Sequence, residues 1–356
     1  MCNVANDDLL TIQKRVMTID EFEKLNLPEG HYLKIAREQG HNYFQEFLTA
    51  SDKLKTILKP NDFKTFWNEK MQLDKGVFNE KAFIQGACET AVANHFADKT
   101  DFGIEVKVNP NNKKDVDCQF KSNGFTYNIE VKCASFDAKE KVENSDSFKF
   151  HTFGRMPERE GLIRELSKAL DEGLTNQGKP LKVHQELKNM DNNLKDFLES
   201  AHEKFNANCP DNEVNILLVG CNDKSDMQSW LGYLFADEGL FTEDSFADST
   251  KYNNVDMIVL TNLYFKHKDF HKKRVKNSWR LEETLNFVFY NCLRAREKNA
   301  ATVNFFNSEL TNYTVPLQNF KVPGDAPEEV KNAVRVPHFV IDHLENGQGI
   351  YLFETK

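Results

Sequence analysis

The chain has 356 residues, 40% hydrophobic and 28% charged, with a formal net charge of −9. Those values suit a globular protein with a sizeable core, and no apolar run approaches the roughly 20 residues that a membrane-spanning helix needs. The opening MCNVANDDLL lacks the basic-then-apolar layout of a secretory leader. The seven cysteines are odd in number and contain no CxxC pair, which favours buried, reduced thiols over a disulfide framework or structural zinc. A cytoplasmic location without a membrane partner is therefore expected.

In chain order, residues 1–79 read as a helical region. Amphipathic stretches lie at 19–26, 31–49 and 51–71, broken at Pro28-Glu29-Gly30 and Pro60-Asn61. Residues 80–97 predict a helix with Ile84, Ala87, Ala91 and His95 on one stripe. Extended runs follow at 103–108, 115–121 and 125–134, the last two joined by Asn123-Gly124, a strong two-residue hairpin signal. After a polar insertion at 135–157, helices are expected at 158–171 and 181–206. The continuous apolar run Val214–Val219 then has the pattern of a buried parallel strand. This region, 80–225, has the order helix, three strands, helix, strand, which predicts an α/β fold with a mixed sheet. Residues 226–356 form an α/β extension for enlarging the sheet, recognition or oligomerisation. Its expected elements are a helix at 226–236, a strand at 255–265, a helix at 281–296 and strands at 337–343 and 349–354.

The segment DVDCQFKSNGFTYNIEVKC, from Asp115, carries the candidate chemistry. A tight turn at Asn123-Gly124 sets Asp117 opposite Glu130 and Asp115 opposite Lys132, with Cβ atoms about 4.5–5.5 Å apart. Glu130 and Lys132, two apart on one strand, share that face. The other face, Val116, Cys118, Phe120, Ile129, Val131 and Cys133, has the composition of core. Opposed carboxylates repel, and a divalent cation between them reverses the sign. Mg²⁺ favours oxygen ligands and retains water, and such an ion activates water against phosphodiesters. A neighbouring ammonium can orient the nucleophile or stabilise developing charge.

These residues resemble the PD-(D/E)xK, restriction-endonuclease-like nuclease superfamily: Asp117 corresponds to its aspartate and Glu130-Val131-Lys132 to its ExK. The resemblance spans about 80–222 and implies the superfamily's αβββαβ core and a Mg²⁺-dependent endodeoxyribonuclease, with Mn²⁺ able to substitute, in a restriction-like or anti-phage defence role. The alternatives are an inert nuclease-like DNA-binding or assembly subunit, or a repair, recombination or transposition nuclease. Asp117, Glu130 and Lys132 would be catalytic. Asp117, Glu130, Glu89 from the first core helix and the Val131 backbone are the candidate metal ligands, with Asp115 and Gln185 beside them. A solvated surface position is the plainer reading of Glu89. Lys114 stands where many members have proline, and Asp115 and Asp117 compete for one role. DNA, a second copy of the chain and defence-system proteins are the implied partners.

ExK also occurs at Glu105-Val106-Lys107, without a suitable upstream aspartate on a paired strand, and at Glu354-Thr355-Lys356, read as an edge hairpin turning at Asn346-Gly347. Residues 266–280 carry seven Lys/Arg and one Asp, either a solvated face or a phosphate-binding patch formed by Lys266, Lys268, Lys272, Lys273, Arg274, Lys276 and Arg280. His267 and His271, four apart, lack a third metal ligand. Asn222-Asp223, after the buried strand, suits a loop cap or a position lining the site.

Overall fold

A computed structural model describes residue 25 and residues 27–73, 75–150, 158–187, 190–272, 274–294 and 300–353. Lys273, the Glu354-Thr355-Lys356 copy and, apart from Leu25, the expected 19–26 helix lie outside these residues. The helical elements are α1 (Tyr32–Glu38), α2 (Asn42–Ile57), α3 (Pro60–Thr65, continued by a π-helical turn at Phe66–Lys70), α4 (Glu80–Phe96), α5 (Asp137–Glu143), α6 (Arg159–Asn176), α7 (Asp191–Lys204) and α8 (Lys224–Phe235). They are followed by α9 (Leu263–Lys268), α10 (Ala300–Glu309), α11 (Thr314–Asn319), α12 (Glu328–Ala333) and α13 (Arg335–His338, continued by a π-helical stretch at Phe339–Gly347). The strands are β1 (Thr100–Val106), β2 (Val116–Ser122), β3 (Phe125–Cys133), β4 (Ser147–Phe150), β5 (Val183–Glu186), β6 (Glu213–Gly220), β7 (Met257–Thr261) and β8 (Asn286–Tyr290).

The α/β architecture is built on a mixed six-stranded sheet in the order β1-β2-β3-β6-β7-β8. β3, β6 and β7 are parallel neighbours, while β1, β2 and β8 pair antiparallel. Asn123 (φ 47°) and Gly124 (φ 81°) supply the two positive φ angles of a type I′ turn. The β2–β3 register runs from Ser122↔Phe125 to Cys118↔Ile129, as the turn requires. β6, buried between β3 and β7, carries Val214, Ile216, Leu217, Leu218 and Val219 fully inside, the composition expected of a parallel strand covered on both faces.

Helix α4 buries residues all round, including Phe83, Ile84, Ala87, Cys88, Ala91, Val92 and Phe96. Such a helix belongs between two layers: the sheet lies on one side and the N-terminal helices on the other. Phe96 stacks on Phe120 at 4.2 Å, and Phe120 on Tyr127 at 5.0 Å; each such side chain contributes roughly 1.5–3 kcal/mol on burial. From the other layer, Phe47 meets Trp67 and Trp279, and Tyr43 stacks on Phe270. The opposite sheet face is covered by α7 and α8, where Phe197 stacks on Trp230.

Several expectations fail, among them the 349–354 strand, since residues 349–353 lie in no strand. The 31–49 and 51–71 stretches break at Gly40-His41 rather than at residue 50, because His41 caps α2 through its side chain. The 181–206 helix begins only at Asp191; Val183–Glu186 pairs with β4 in a separate two-stranded sheet. Residues 286–290, expected to be helical, form β8: the apolar run NFVFY is five residues long and pairs with β7. The 337–343 strand is helical, since Val336, Phe339, Val340 and Leu344 are buried at helical spacing, and Asn346-Gly347 ends that helix instead of turning a hairpin. No helix among the described residues is long and apolar enough to cross a membrane.

His267 is fully buried in α9, where Nδ1 hydrogen-bonds the Tyr43 hydroxyl at 2.9 Å and the ring meets Trp279 edge-on. It is a core histidine, not half of a metal pair with His271. Burial, then Lys266, pushes its pKa down to about 3. The unfolded chain therefore binds a proton below about pH 6.5 that the folded protein refuses, and stability is lost as pH falls from there toward 3. Urea denaturation between pH 6 and 4.5 is expected to show His267→Gln with a flatter pH dependence than the wild type, by up to about 1.4 kcal/mol per pH unit; equal slopes would refute the assignment.

Candidate functional site

β2 and β3 part company beyond the Cys118↔Ile129 pair. β3 continues parallel to β6 as far as Cys133↔Gly220, which leaves backbone groups of Val131 and Cys133 facing the gap. Buried peptide groups need partners, and two side chains provide them. Asp117 Oδ2 accepts from Val131 N at 2.7 Å. Gln85 on α4 donates to Val131 O at 2.9 Å and accepts from Cys133 N at 2.8 Å. Asp117 therefore does not confront Glu130 as a ladder pair, and the Val131 carbonyl is directed to Gln85. Asp115 precedes β2, beyond the end of the ladder that was expected to set it against Lys132.

The same gap gathers three carboxylates. Glu89 reaches it from α4, its side chain held by Gln85 Nε2 at 2.6 Å from Oε1, so the solvated reading of Glu89 does not apply. Glu105 comes from β1: between the pairs Ile104↔Cys118 and Val106↔Val116 it stands across from Asp117. One oxygen each of Glu89, Glu105 and Asp117 lies within 4.8 Å of the others. Glu105 has φ 49°, a left-handed conformation costing a residue with a side chain roughly 1–2 kcal/mol. Strain of this kind collects at sites where side-chain direction matters. The copy of ExK set aside in the sequence thus supplies a member of the cluster.

Burial, then Asp117, raises the Glu89 carboxyl to about 7, with Lys70 acting against the shift. Lys70 ends the π-helical turn after α3. Its Nζ contacts Glu89 Oε2 and lies 2.5 Å from Glu105 Oε1 and 3.6 Å from Asp117 Oδ1. Burial opposes its charge, but the three acids outweigh burial and hold its pKa above the ordinary lysine value.

Glu130 is fully buried beside this group yet outside it. Its Oε1 lies 2.7 Å from Lys132 Nζ and 2.6 Å from Lys204 Nζ at the end of α7. Burial, then Asp117, raises its pKa against the pull of the two lysines. For Lys132, burial works against the charge, but Glu130, Asp117 and Glu89 hold its pKa above the ordinary value. Farther along this face, Gln119 donates to Asn128 at 2.7 Å and Asn128 to Asn215 at 2.8 Å, so the polar face continues along the sheet.

The remaining candidates are dispersed. Gln185 sits on β5 in the small sheet and accepts from Ser145 at 3.2 Å, because the helix expected to present it starts later. Asp223 caps α8 through Asp226 N at 2.7 Å and accepts from buried Lys139 at 2.9 Å, which is the loop-cap reading. The basic run does not form one phosphate-facing patch. Lys266 is buried and donates to Glu283 O at 2.8 Å; Lys268 pairs with Glu140, Lys272 with Asp269, and Arg280 with Glu282 and Glu283. Arg274 lies 4.2 Å from the centre of the Tyr351 ring, and Lys276 lines a groove with Glu282 and Glu283. Acidic residues brought by the fold take up much of a charge that sequence alone leaves unpartnered.

Lys70, Lys204, Gln85 and Glu105 were not among the sequence candidates. Glu105 could have been reached by pairing 103–108 with 115–121, but the long connection between them has no turn rule to set a register. Lys70 and Lys204 carry no local signal.

Gly86 fixes where Lys70 sits: a Cβ there would lie 2.3 Å from the Lys70 carbonyl oxygen. Gly86→Ala is expected to destabilise the protein by about 1–3 kcal/mol through this overlap, despite alanine's better helix propensity. Gly173→Ala on α6, where a Cβ meets nothing within 4 Å, is the control and should be neutral or stabilising by up to about 1 kcal/mol in chemical denaturation.

No protein-family model matches the chain, and neither curated proteins nor solved structures give a match.

Proposed function

We propose that the chain is a metal-dependent nuclease of the PD-(D/E)xK type that hydrolyses DNA phosphodiester bonds, using Mg²⁺ or Mn²⁺. The observation that carries this reading is the convergence of Glu89, Glu105 and Asp117 within 4.8 Å, beside a lysine that Glu130 holds 2.7 Å away. The order α4, β1, β2, β3, α7, β6, with α5, β4, α6 and β5 inserted between β3 and α7 and with β6 parallel to β3, supports the restriction-endonuclease-like core.

The donor set fits a hard divalent cation. It is all oxygen, it comes from three different elements, and it is crowded enough to raise Glu89 to about 7 and to hold an ammonium among its oxygens. Glu89, Glu105 and Asp117 would hold the ion, which when bound supplies an activated water and stabilises charge on the phosphate. Lys132, whose ammonium is fixed by Glu130, is placed to orient the attacking water or to meet charge building on the phosphate oxygens. In this reading Glu130 positions Lys132 rather than ligating the metal. Gln85 and Asp117 Oδ2 hold β3 at Val131 and so set the distance between the acids and the lysine. Lys276, exposed on the basic run, would meet a backbone phosphate. A restriction-like or anti-phage role, with a second copy of the chain or defence proteins as partners, belongs to the same proposal.

Nicking of supercoiled plasmid with Mg²⁺ or Mn²⁺ is the expected activity, abolished by EDTA. Asp117→Asn and Lys132→Ala should each reduce the rate by at least about 100-fold. Undiminished cleavage in both variants sinks the site assignment. No cleavage of duplex, branched or single-stranded DNA or of RNA favours the inert DNA-binding or assembly role.

A further inference from the structure

Lys70 touches one oxygen of each carboxylate in the set. A Mg²⁺ ion shared by these oxygens would lie about 2.0–2.1 Å from them. An ammonium at 2.5–3.6 Å from Glu105 and Asp117 and in contact with Glu89 occupies the same space, so the two cations exclude each other. The chemistry of the surroundings agrees. Lys132 and Lys204 are both engaged by Glu130, and among the described residues Lys70 is the cation bound to all three acids.

The backbone that presents Lys70 is firmly held. The next residue, Met71, is buried, and its carbonyl is hydrogen-bonded to His31 Nε2 at 3.0 Å. The Gln72 side chain exchanges hydrogen bonds with the Asn79 backbone at 2.8 and 3.0 Å. Gly86 lets the Lys70 carbonyl lie directly on α4. The Lys70 side chain, in contrast, is 25% exposed, and Glu105 opens the cluster to solvent at 42%. A flexible four-carbon stem on a fixed backbone can therefore swing its charge out without disturbing the fold.

We propose that the Lys70 ammonium is a built-in counter-ion of this site, competing with the divalent cation for Glu89, Glu105 and Asp117, so that the metal enters by expelling it. This rests on the reading of the three acids as metal ligands. The N-terminal helical layer then sets metal affinity through one residue.

The test uses full-length protein and Mn²⁺ alone, read by calorimetric titration and by thermal melting in EDTA or Mn²⁺. Lys70→Met removes the charge while keeping most of the side-chain volume. It is expected to bind Mn²⁺ at least tenfold more tightly than the wild type, to melt lower in EDTA because three acids lose their counter-ion, and to gain more from Mn²⁺. Lys70→Arg keeps the charge and is expected to bind Mn²⁺ no more tightly than the wild type. Equal or weaker binding by Lys70→Met, with binding still lost in Glu89→Gln and Asp117→Asn, overturns the competition while leaving the metal site intact. Lys70→Arg binding as tightly as Lys70→Met also overturns it, since charge would then not matter. No Mn²⁺ bound by wild type or Lys70→Met at millimolar concentration overturns both the competition and the metal reading.

Discussion

Mutual repulsion among Glu89, Glu105 and Asp117 governs the open edge of the sheet. Two unit charges at the 4.8 Å that bounds these separations repel by about 3.5 kcal/mol at an effective dielectric of 20, and three such groups meet here. Much of the surrounding structure answers that cost. Lys70 is delivered from a different layer to sit among the acids, Glu89 is pushed toward its neutral form, and Asp117 spends one oxygen on a backbone amide. Glu130, the fourth acid, is kept apart by two lysines of its own. On the proposed reading, a divalent cation takes over the neutralisation that Lys70 supplies.

A second cluster shows the same residue types joining two helices. Lys139, 2% exposed, lies 2.9 Å from Asp223, 2.6 Å from Asp226 and 3.3 Å from Glu143. It joins α5 to the N-terminus of α8, and Asp223 also caps that helix. Its lysine is enclosed on its own short helix, Asp223 and Asp226 belong to the start of α8 and Glu143 lies on α5 itself, so the cluster is a staple between two elements. At the open edge the acids come from α4, β1 and β2 and the lysine from the N-terminal layer. Four separately anchored segments hold that site, and one of its acids faces solvent.

The hairpin was the most legible part. Asn123-Gly124 demanded a two-residue turn, and alternation sorted Val116, Cys118, Phe120, Ile129 and Val131 into the core from the other face. Glu130 and Lys132 were placed correctly on that other face. The divergence of β2 from β3 was not legible, because turn geometry propagates a register only while the strands remain paired. That divergence takes Asp117 out of the ladder pair with Glu130 and leaves the Val131 and Cys133 backbone to Gln85. The 286–290 and 337–343 segments depart from expectation for a related reason: short apolar runs fit helix and strand alike until their neighbours are known.

By itself, the sequence determined the α/β class, the hairpin, the buried β6 strand and the face shared by Glu130 and Lys132. Each is written in local periodicity or turn chemistry, which act over a few residues. Only the tertiary structure decided which acids meet. Glu105 faces Asp117 through a strand pairing across a long connection, Glu89 arrives from a helix buried between layers, and Lys70 arrives from a turn seated on Gly86. Contacts among residues so far apart along the chain are set by packing, and no spacing rule in the sequence encodes them.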